Sequence, residues 1–240
     1  MMEPESKHKH VHAVFESIAS DYDKMNDMIS FRRHRAWRRF TMRKMDVKPG
    51  QTSLDLCCGT CDWTLSLAKA SDKGKTIGLD FSRNMLDIGQ AKIDKLGMGN
   101  QITLVQGDAM DLPFEDNTFD FVTIGFGLRN IPDIVKTLKE MKRVVKPGGK
   151  IVCLELSKPT WQPFKALYYF YFNRVLPLMG KWFVKRYEQY RWLPESLVPF
   201  PDLQALAELF RSIGMRNVKA YPLTGGVAAL HIGTKGNEGV

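Results

Sequence analysis

Short apolar runs recur along the first two thirds of the chain, each ending in a polar, turn-rich break and followed by a stretch whose apolar positions fall three or four residues apart. Ser53-Leu54-Asp55-Leu56-Cys57 reads as a buried strand, Cys58-Gly59-Thr60-Cys61 as a tight turn, and a helix from Asp62 turns Trp63, Leu65, Leu67 and Ala68 inward. The unit then repeats. Lys75 to Leu79 form a second strand with Asp80 at its carboxyl end, and Ser82 is placed to cap a helix carrying Met85, Leu86, Ile88 and Ala91. Gln101 to Val105 give a third strand, ending in Gly107-Asp108-Ala109. Past the turn at Glu115-Asp116-Asn117, Phe119 to Ile124 give a fourth. A helix over Asp133 to Val145 is stopped by Lys146-Pro147-Gly148-Gly149 before the strand Lys150 to Glu155.

Alternating helices and apolar strands predict a mostly parallel sheet covered on both faces. Beyond it, Trp161 to Leu193 is aromatic and basic. Phe200-Pro201-Asp202 introduces a helix ending near Ile213-Gly214, and two further strands run from Val218 to Leu223 and from Val227 to Thr234. One domain over 1–240 accommodates all of this, with a helical segment over 1–48 on the substrate side and an aromatic, basic cap inserted at about 158–199.

Composition narrows the picture modestly. With 44% hydrophobic and 25% charged residues the 240-residue chain is ordinary for a globular domain. A formal charge of +9 asks for an anionic partner such as phosphate or an acidic membrane surface. No zinc finger, RNA-binding aromatic pair or long basic run points to nucleic acid. The polar start MMEPESKHKHVH lacks the apolar core of a signal peptide, so cytoplasmic residence is expected. Cys57, Cys58 and Cys61 crowd one turn while Cys153 lies in a strand. This suits reduced thiols, and no second ligand pair suggests a metal.

The chemistry gathers at strand ends. Gly59 lets a ligand approach the backbone of the first turn, and Asp80 after the second strand suits ribose hydroxyls. Asp108 is placed either to accept from an adenine amino group, with Ala109 leaving room for the ring, or to end its strand and cap local backbone donors. Thr60 either binds the same ligand or organises its own turn. A dinucleotide would need a pyrophosphate-binding Gly-x-Gly-x-x-Gly, whereas this turn has cysteines around one glycine.

LDLCCGT, GLDFS and GDAMDLPF together resemble the class I S-adenosylmethionine-dependent methyltransferases, departing from the commoner glycine-rich turn at Cys57 and Cys61. Tyr22 to Ser30 with His34 and Trp37, Gly125-Phe126-Gly127-Leu128-Arg129-Asn130, Arg143 to Lys150 with Glu155 and Ser157, and YPLTGGVAALHIGTK resemble more closely the menaquinone and ubiquinone biosynthesis C-methyltransferase family, over nearly the whole chain. The resemblance implies a Rossmann-like, mostly parallel seven-stranded sheet with a terminal antiparallel strand. It implies S-adenosyl-L-methionine as cofactor, held by Thr60, Asp80, Asp108 and Ala109 together with Asp55 and Gly59. It also implies ring methylation of a prenylated demethylmenaquinol, the last step of menaquinone biosynthesis, in preference to a ubiquinone precursor.

Ring methylation needs an electron-rich quinol, and a phenolic hydroxyl ionises only near pH 10 unless assisted. Arg129, Tyr22 and His34 are the expected catalytic residues: Arg129 and Tyr22 orienting the quinol oxygen, His34 acting directly or through water. The aromatic segment containing Trp161, Phe164, Tyr168, Phe170 and Trp182, with Lys165, Arg174, Lys181, Lys185 and Arg186, is too interrupted to span a membrane. It suits a channel for the tail, transient contact with an anionic membrane at the inner face of the cell, or the contact of a homodimer. Rival readings are a methyltransferase acting on another small phenol and a non-catalytic cofactor-binding assembly protein. Methyl transfer to reduced quinols separates them.

Overall fold

The structure, a computed structural model, describes residue 11, residues 13–159, the single positions 165, 170 and 174, and residues 187–237. Helical residues 13–18 lead through a 3-10 turn into α1 (Tyr22–Ile29) and α2 (Arg33–Met45). The alternating part follows as β1 (Ser53–Leu56), α3 (Asp62–Ser71), β2 (Thr76–Asp80), α4 (Arg83–Lys95), β3 (Ile102–Gln106), β4 (Phe119–Gly125), α5 (Ile134–Val144) and β5 (Val145–Leu156). α6 (Tyr187–Leu197), α7 (Leu203–Ser212), β6 (Met215–Leu223) and β7 (Ala228–Lys235) complete the chain.

The seven strands form one sheet in the order β3-β2-β1-β4-β5-β7-β6. All are parallel except β7, which runs antiparallel to both β5 and β6. The antiparallel strand is thus terminal in the chain but interior in the sheet. Expected and observed strands agree within a few residues, because both faces of the sheet are covered and each strand reads as an apolar run. In β5, Ile151 and Cys153 pack on one side with Leu54, Leu56, Leu138, Met141 and Phe210. Val152 and Leu154 pack on the other with Trp37, Met45, Trp63, Leu67 and Leu230.

The expected stop at Lys146-Pro147-Gly148-Gly149 is corrected. Val145 already pairs with Phe119, and the ladder resumes at Phe121 with Lys150 after a bulge that absorbs the Pro-Gly-Gly run. The expected cap is present, Ser82 Oγ accepting from Met85 N, and Asp133, expected as the start of the next helix, is its cap, accepting from Lys136 N. In a sheet of this order the chain leaves β1 toward β2 on one side and β4 lies on the other. The carboxyl ends of β1 and β4 therefore flank the crevice where ligands of open α/β sheets bind.

Candidate functional site

The turn after β1 is held in a conformation that side chains seldom adopt. Cys57, Gly59 and Cys61 have φ of 51°, 53° and 66°, and Cys61 N donates to Cys58 O at 2.9 Å, closing the turn. Asp80, at the end of β2, fixes this turn against its neighbour. Its Oδ2 accepts from Gly59 N at 2.8 Å and its Oδ1 from Ser82 N at 2.9 Å. Burial pushes the Asp80 carboxyl up to about 6. Phe81 N is a further donor to this carboxylate, which still leaves it acceptor capacity for one more.

A cleft of about 700 Å³, counting its mouth, opens above this turn. It is lined by Gly59, Asp80, Asp108 and Ala109, with apolar walls from Phe15, Phe81, Met85 and Ile131. A carboxylate with acceptor capacity beside an apolar slot fits S-adenosylmethionine, whose ribose brings donors and whose adenine brings a flat ring. Asp108 is exposed at the rim, its Oδ1 accepting from Met110 N at 2.8 Å, and Ala109 is buried.

A second chamber of about 820 Å³ adjoins the first. Tyr22, His34 and Arg129 all line it, with Asn26, Ser30, Trp37 and Leu193. Tyr22, Cys57, Gly125 and Phe126 line both chambers and so form their common wall. Phe126, between two glycines, has φ of 57° and stacks near Trp37 with ring centroids 6.2 Å apart.

Arg129 is buried and its guanidinium is paired with buried Glu155, Nη1 lying 2.7 Å from Oε1, while Glu155 Oε2 accepts from Arg129 N at 3.2 Å. The pair is nearly neutral overall, so Arg129 faces the chamber as an oriented donor more than as a bare charge. Asn130 Oδ1 accepts from Trp192 Nε1 at 3.0 Å, which fastens the loop to α6.

His34 is buried, and desolvation, with Arg38 nearby, lowers its pKa below the ordinary 6.5. Ser30 Oγ donates to Asn26 O at 2.6 Å and lies 2.7 Å from His34 Nδ1. With that hydroxyl proton committed, Nδ1 is the donor and Nε2 carries the lone pair. Burial raises the Tyr22 phenol above its ordinary 10, so it stays a hydroxyl at neutral pH, hydrogen-bonded to Asn26.

The two remaining expected cofactor residues face elsewhere. Asp55 is buried under the second chamber, Oδ2 accepting from Thr64 Oγ1 at 2.8 Å and Oδ1 from Thr123 Oγ1 at 2.7 Å. Thr60 lines the second chamber and donates to Asp23 Oδ1 at 2.6 Å, while Lys92 Nζ reaches Thr60 Oγ1 at 3.0 Å, Asp23 Oδ2 at 2.6 Å and Asp62 at 2.9 Å. This network ties α1 to the turn and to α4. Sequence reasoning marked Thr60 and the motif around Phe126 but did not reach the network or the shared wall, because the partners lie far apart in the chain. The flanking glycines of Phe126 were the one available signal.

The four cysteines are free. Burial raises the thiols of Cys57, Cys58 and Cys153 well above 9, which makes them poor nucleophiles and leaves them as packing. Of the aromatic, basic segment, positions 165, 170 and 174 and residues 187–193, the first part of α6, are described, with Phe170 and Arg174 exposed. Trp161, Phe164, Tyr168, Lys181, Trp182, Lys185 and Arg186 lie outside the described residues.

Residues 2–235 match the model of the ubiE/COQ5 methyltransferase family. A demethylmenaquinone methyltransferase of Bacillus cereus is 56% identical over 232 residues, 96% of this chain and 98% of its own, and one of Bacillus anthracis is equally similar over the same shares. Among solved structures, an S-adenosylmethionine-dependent methyltransferase from Thermotoga maritima superposes with a TM-score of 0.67 at 19% identity, over 94% of this chain and all of its own. One from Aquifex aeolicus superposes with a TM-score of 0.60 at 19% identity, over 82% and 88%. These distant likenesses carry the fold.

Proposed function

The chain belongs to the ubiE/COQ5 methyltransferase family, and on that premise we propose that it methylates a ring carbon of a prenylated demethylmenaquinol to give menaquinol, the last step of menaquinone biosynthesis. It is an S-adenosylmethionine-dependent methyltransferase of the class I, Rossmann-like fold. One observation supports the reading most: a nucleoside-shaped cleft and a second, partly polar chamber share the wall of Tyr22, Cys57, Gly125 and Phe126. Clefts that share these lining residues adjoin, so a donor in one and an acceptor in the other can approach each other beside Tyr22 and Phe126, the proximity that in-line transfer requires.

We assign Gly59, Asp80, Asp108 and Ala109 to the cofactor, Asp80 to its ribose and Asp108 with Ala109 to its adenine. Asp55 and Thr60 support that site from beneath and beside the turn. When bound, S-adenosylmethionine supplies an electrophilic methyl group. The chain's own residues prepare the acceptor. Tyr22, protonated, and Arg129, held by Glu155, donate to the quinol oxygen and stabilise its negative charge. His34, neutral above its lowered pKa, takes the hydroxyl proton at Nε2 directly or through water. Asp27 Oδ1, 3.7 Å from Nε2, favours the imidazolium so formed. The phenolate directs electron density to the ring carbon, which would take the methyl group as the methyl-sulfur bond breaks, and loss of that carbon's own proton to solvent then restores the aromatic ring.

Among the described residues no helix is long and apolar enough to cross a membrane. A prenylated acceptor places the working enzyme in the cytoplasm at the inner face of the cell membrane.

The test is anaerobic transfer of labelled methyl from S-adenosylmethionine to reduced demethylmenaquinol, with the attachment position read by mass spectrometry and the oxidised quinone as control. Label on the ring carbon with the quinol only is expected. Label on oxygen, or equal labelling of the quinone, overturns the proposal. In the same assay R129A is expected to lower kcat by about a hundredfold or more, the scale of losing one oriented donor to a developing oxyanion. R129K is expected to recover part of that, and unchanged rates in both remove Arg129 from the mechanism.

A further inference from the structure

We infer that the exposed face of α2, from Phe31 at its tip to Arg43, together with Lys69 of α3, is the surface by which this enzyme docks on an anionic phospholipid bilayer. The inference starts from two features outside the chambers. Phe31 is 72% exposed, as much as any large apolar side chain among the described residues, and it stands on a left-handed turn, with φ of 48° at Phe31 and 60° at Arg32. Holding two non-glycine residues there costs energy that ordinary helix entry avoids. Farther along α2, an open groove of about 1060 Å³, counting its mouth, runs between α2 and α3, lined by Arg35, Arg38, Arg39, Met42, Arg43 and Lys69 among others, with no acidic residue in its lining.

The charges of this face are only partly neutralised. Arg35 pairs with Asp27 and Arg38 with Asp62. Among the described residues Arg33, Arg39, Arg43 and Lys69 make no ion pair. Cations unmatched on one side of a helix, with an apolar residue at its tip and aliphatic Met42 in the groove, form the pattern that adsorbs to anionic headgroups while anchoring in the acyl boundary. A single-stranded nucleic-acid groove would interleave its cations with stacking aromatics, and this one has none among its lining residues.

Position gives the surface its use. Arg38 lines both the groove and the acceptor chamber, and Phe31 lies between Ser30 and His34, which line that chamber. A bilayer resting on α2 therefore meets the rim of the acceptor chamber, where a ring whose tail stays in the lipid has the shortest path inward. This use rests on the proposed prenylated acceptor. Docking itself does not.

The experiment is co-sedimentation of the full-length enzyme with vesicles of phosphatidylcholine alone or mixed with phosphatidylglycerol. It compares the native chain, R39Q/R43Q, F31S, and K136Q/K139Q, which removes the same charge from exposed positions of α5. Each basic side chain at an anionic surface strengthens partitioning by about fivefold, so R39Q/R43Q is expected to weaken binding to mixed vesicles by about 30-fold. F31S is expected to weaken it too, and K136Q/K139Q to leave it nearly intact. No binding of the native chain, undiminished binding of R39Q/R43Q, or an equal loss in K136Q/K139Q overturns the assignment. So does binding to an oligonucleotide, lost in R39Q/R43Q, in place of vesicles.

With a short-tailed, detergent-dispersed demethylmenaquinol, R39Q/R43Q is expected to methylate at the native rate. With the long-tailed acceptor embedded in vesicles it is expected to slow in step with its lost binding, and equal native rates on both separate docking from catalysis and overturn the proposed use. If the native chain methylates neither acceptor, the catalytic reading fails, while sedimentation still decides the docking face.

Discussion

Asp55 and Asp80 are two carboxylates with the same shift and different work. Burial raises both to about 6. Asp55 spends both oxygens on the hydroxyls of Thr64 and Thr123, joining β1 to α3 and β4, whereas Asp80 keeps acceptor capacity toward the cleft. For each, the folded chain binds more protons than the unfolded chain between the ordinary 3.8 and about 6, so the stability contributed is present at low pH and lost as pH rises toward 6. Asp55→Asn removes that titration. Urea unfolding is expected to show a stability loss between roughly pH 4 and 6.5 that is smaller in the variant by on the order of 3 kcal/mol, and an unchanged slope would refute the origin given for it. For Asp80 the same value has a binding consequence. Ribose hydroxyls donate to the charged form, so affinity for S-adenosylhomocysteine is expected to fall by up to about tenfold per pH unit below 6, and to be weaker and flat with pH in Asp80→Asn. Calorimetry across that range checks it. The sequence marked both residues as ligand contacts because strand-end acids look alike. Only the positions of Thr64 and Thr123, 9 and 68 residues from Asp55, separate a satisfied carboxylate from an available one.

Elements that read clearly in the chain are those with covered faces. β1, β2, β4 and the second half of β5 read as mainly apolar, buried runs because the sheet is covered there on both sides, and α4 and α5 start at the capping residues Ser82 and Asp133. The placement of β7 between β5 and β6 was not legible, because an apolar strand states that it is buried and not which neighbours it pairs with. Nor was the docking of α1, which joins the packing of Met25 in the core to one charged cluster. Lys92 takes Asp23 and Asp62, and these carboxylates hold its ammonium above the ordinary value against the effect of burial. Asp23 also receives Thr60 Oγ1, so α1 hangs on the cofactor turn by this side chain. Asp23→Ala leaves Thr60 and Lys92 short of a partner and loosens the end of α1 that carries Tyr22, while Met25 keeps the helix in the core. Affinity for the cofactor product is expected to drop about five- to twentyfold, the scale of one charge-assisted hydrogen bond, while global stability changes by about 1 kcal/mol or less, since the cluster is half-exposed. A large loss of stability with unchanged affinity would show that the cluster serves folding and not the site.

At the scale of the whole molecule, the sheet order separates donor from acceptor and then joins them through a few shared side chains. The residues assigned to the cofactor sit on the ends of β1, β2 and β3, and those assigned to the acceptor on α1, α2 and the loop after β4. The two groups touch at the common wall, whose aromatic members are Tyr22 and Phe126. The division predicts a pattern of kinetic effects that no single residue would reveal. Asp108→Ala is expected to raise the KM for S-adenosylmethionine and leave that for the quinol within about twofold. His34→Asn is expected to lower kcat with cofactor binding unchanged, since it touches only the acceptor chamber. Tyr22→Phe keeps the ring in the wall and loses the hydroxyl, so it is expected to lower kcat by about tenfold or more while both KM values stay near native. Tyr22→Ala opens the wall, and both KM values are expected to rise together, with the double variant Tyr22→Ala/Phe126→Ala departing from additivity because the two side chains bound the same space. Strict additivity, or a Tyr22→Ala effect confined to one substrate, would mean that the chambers do not share the wall on which transfer between them depends.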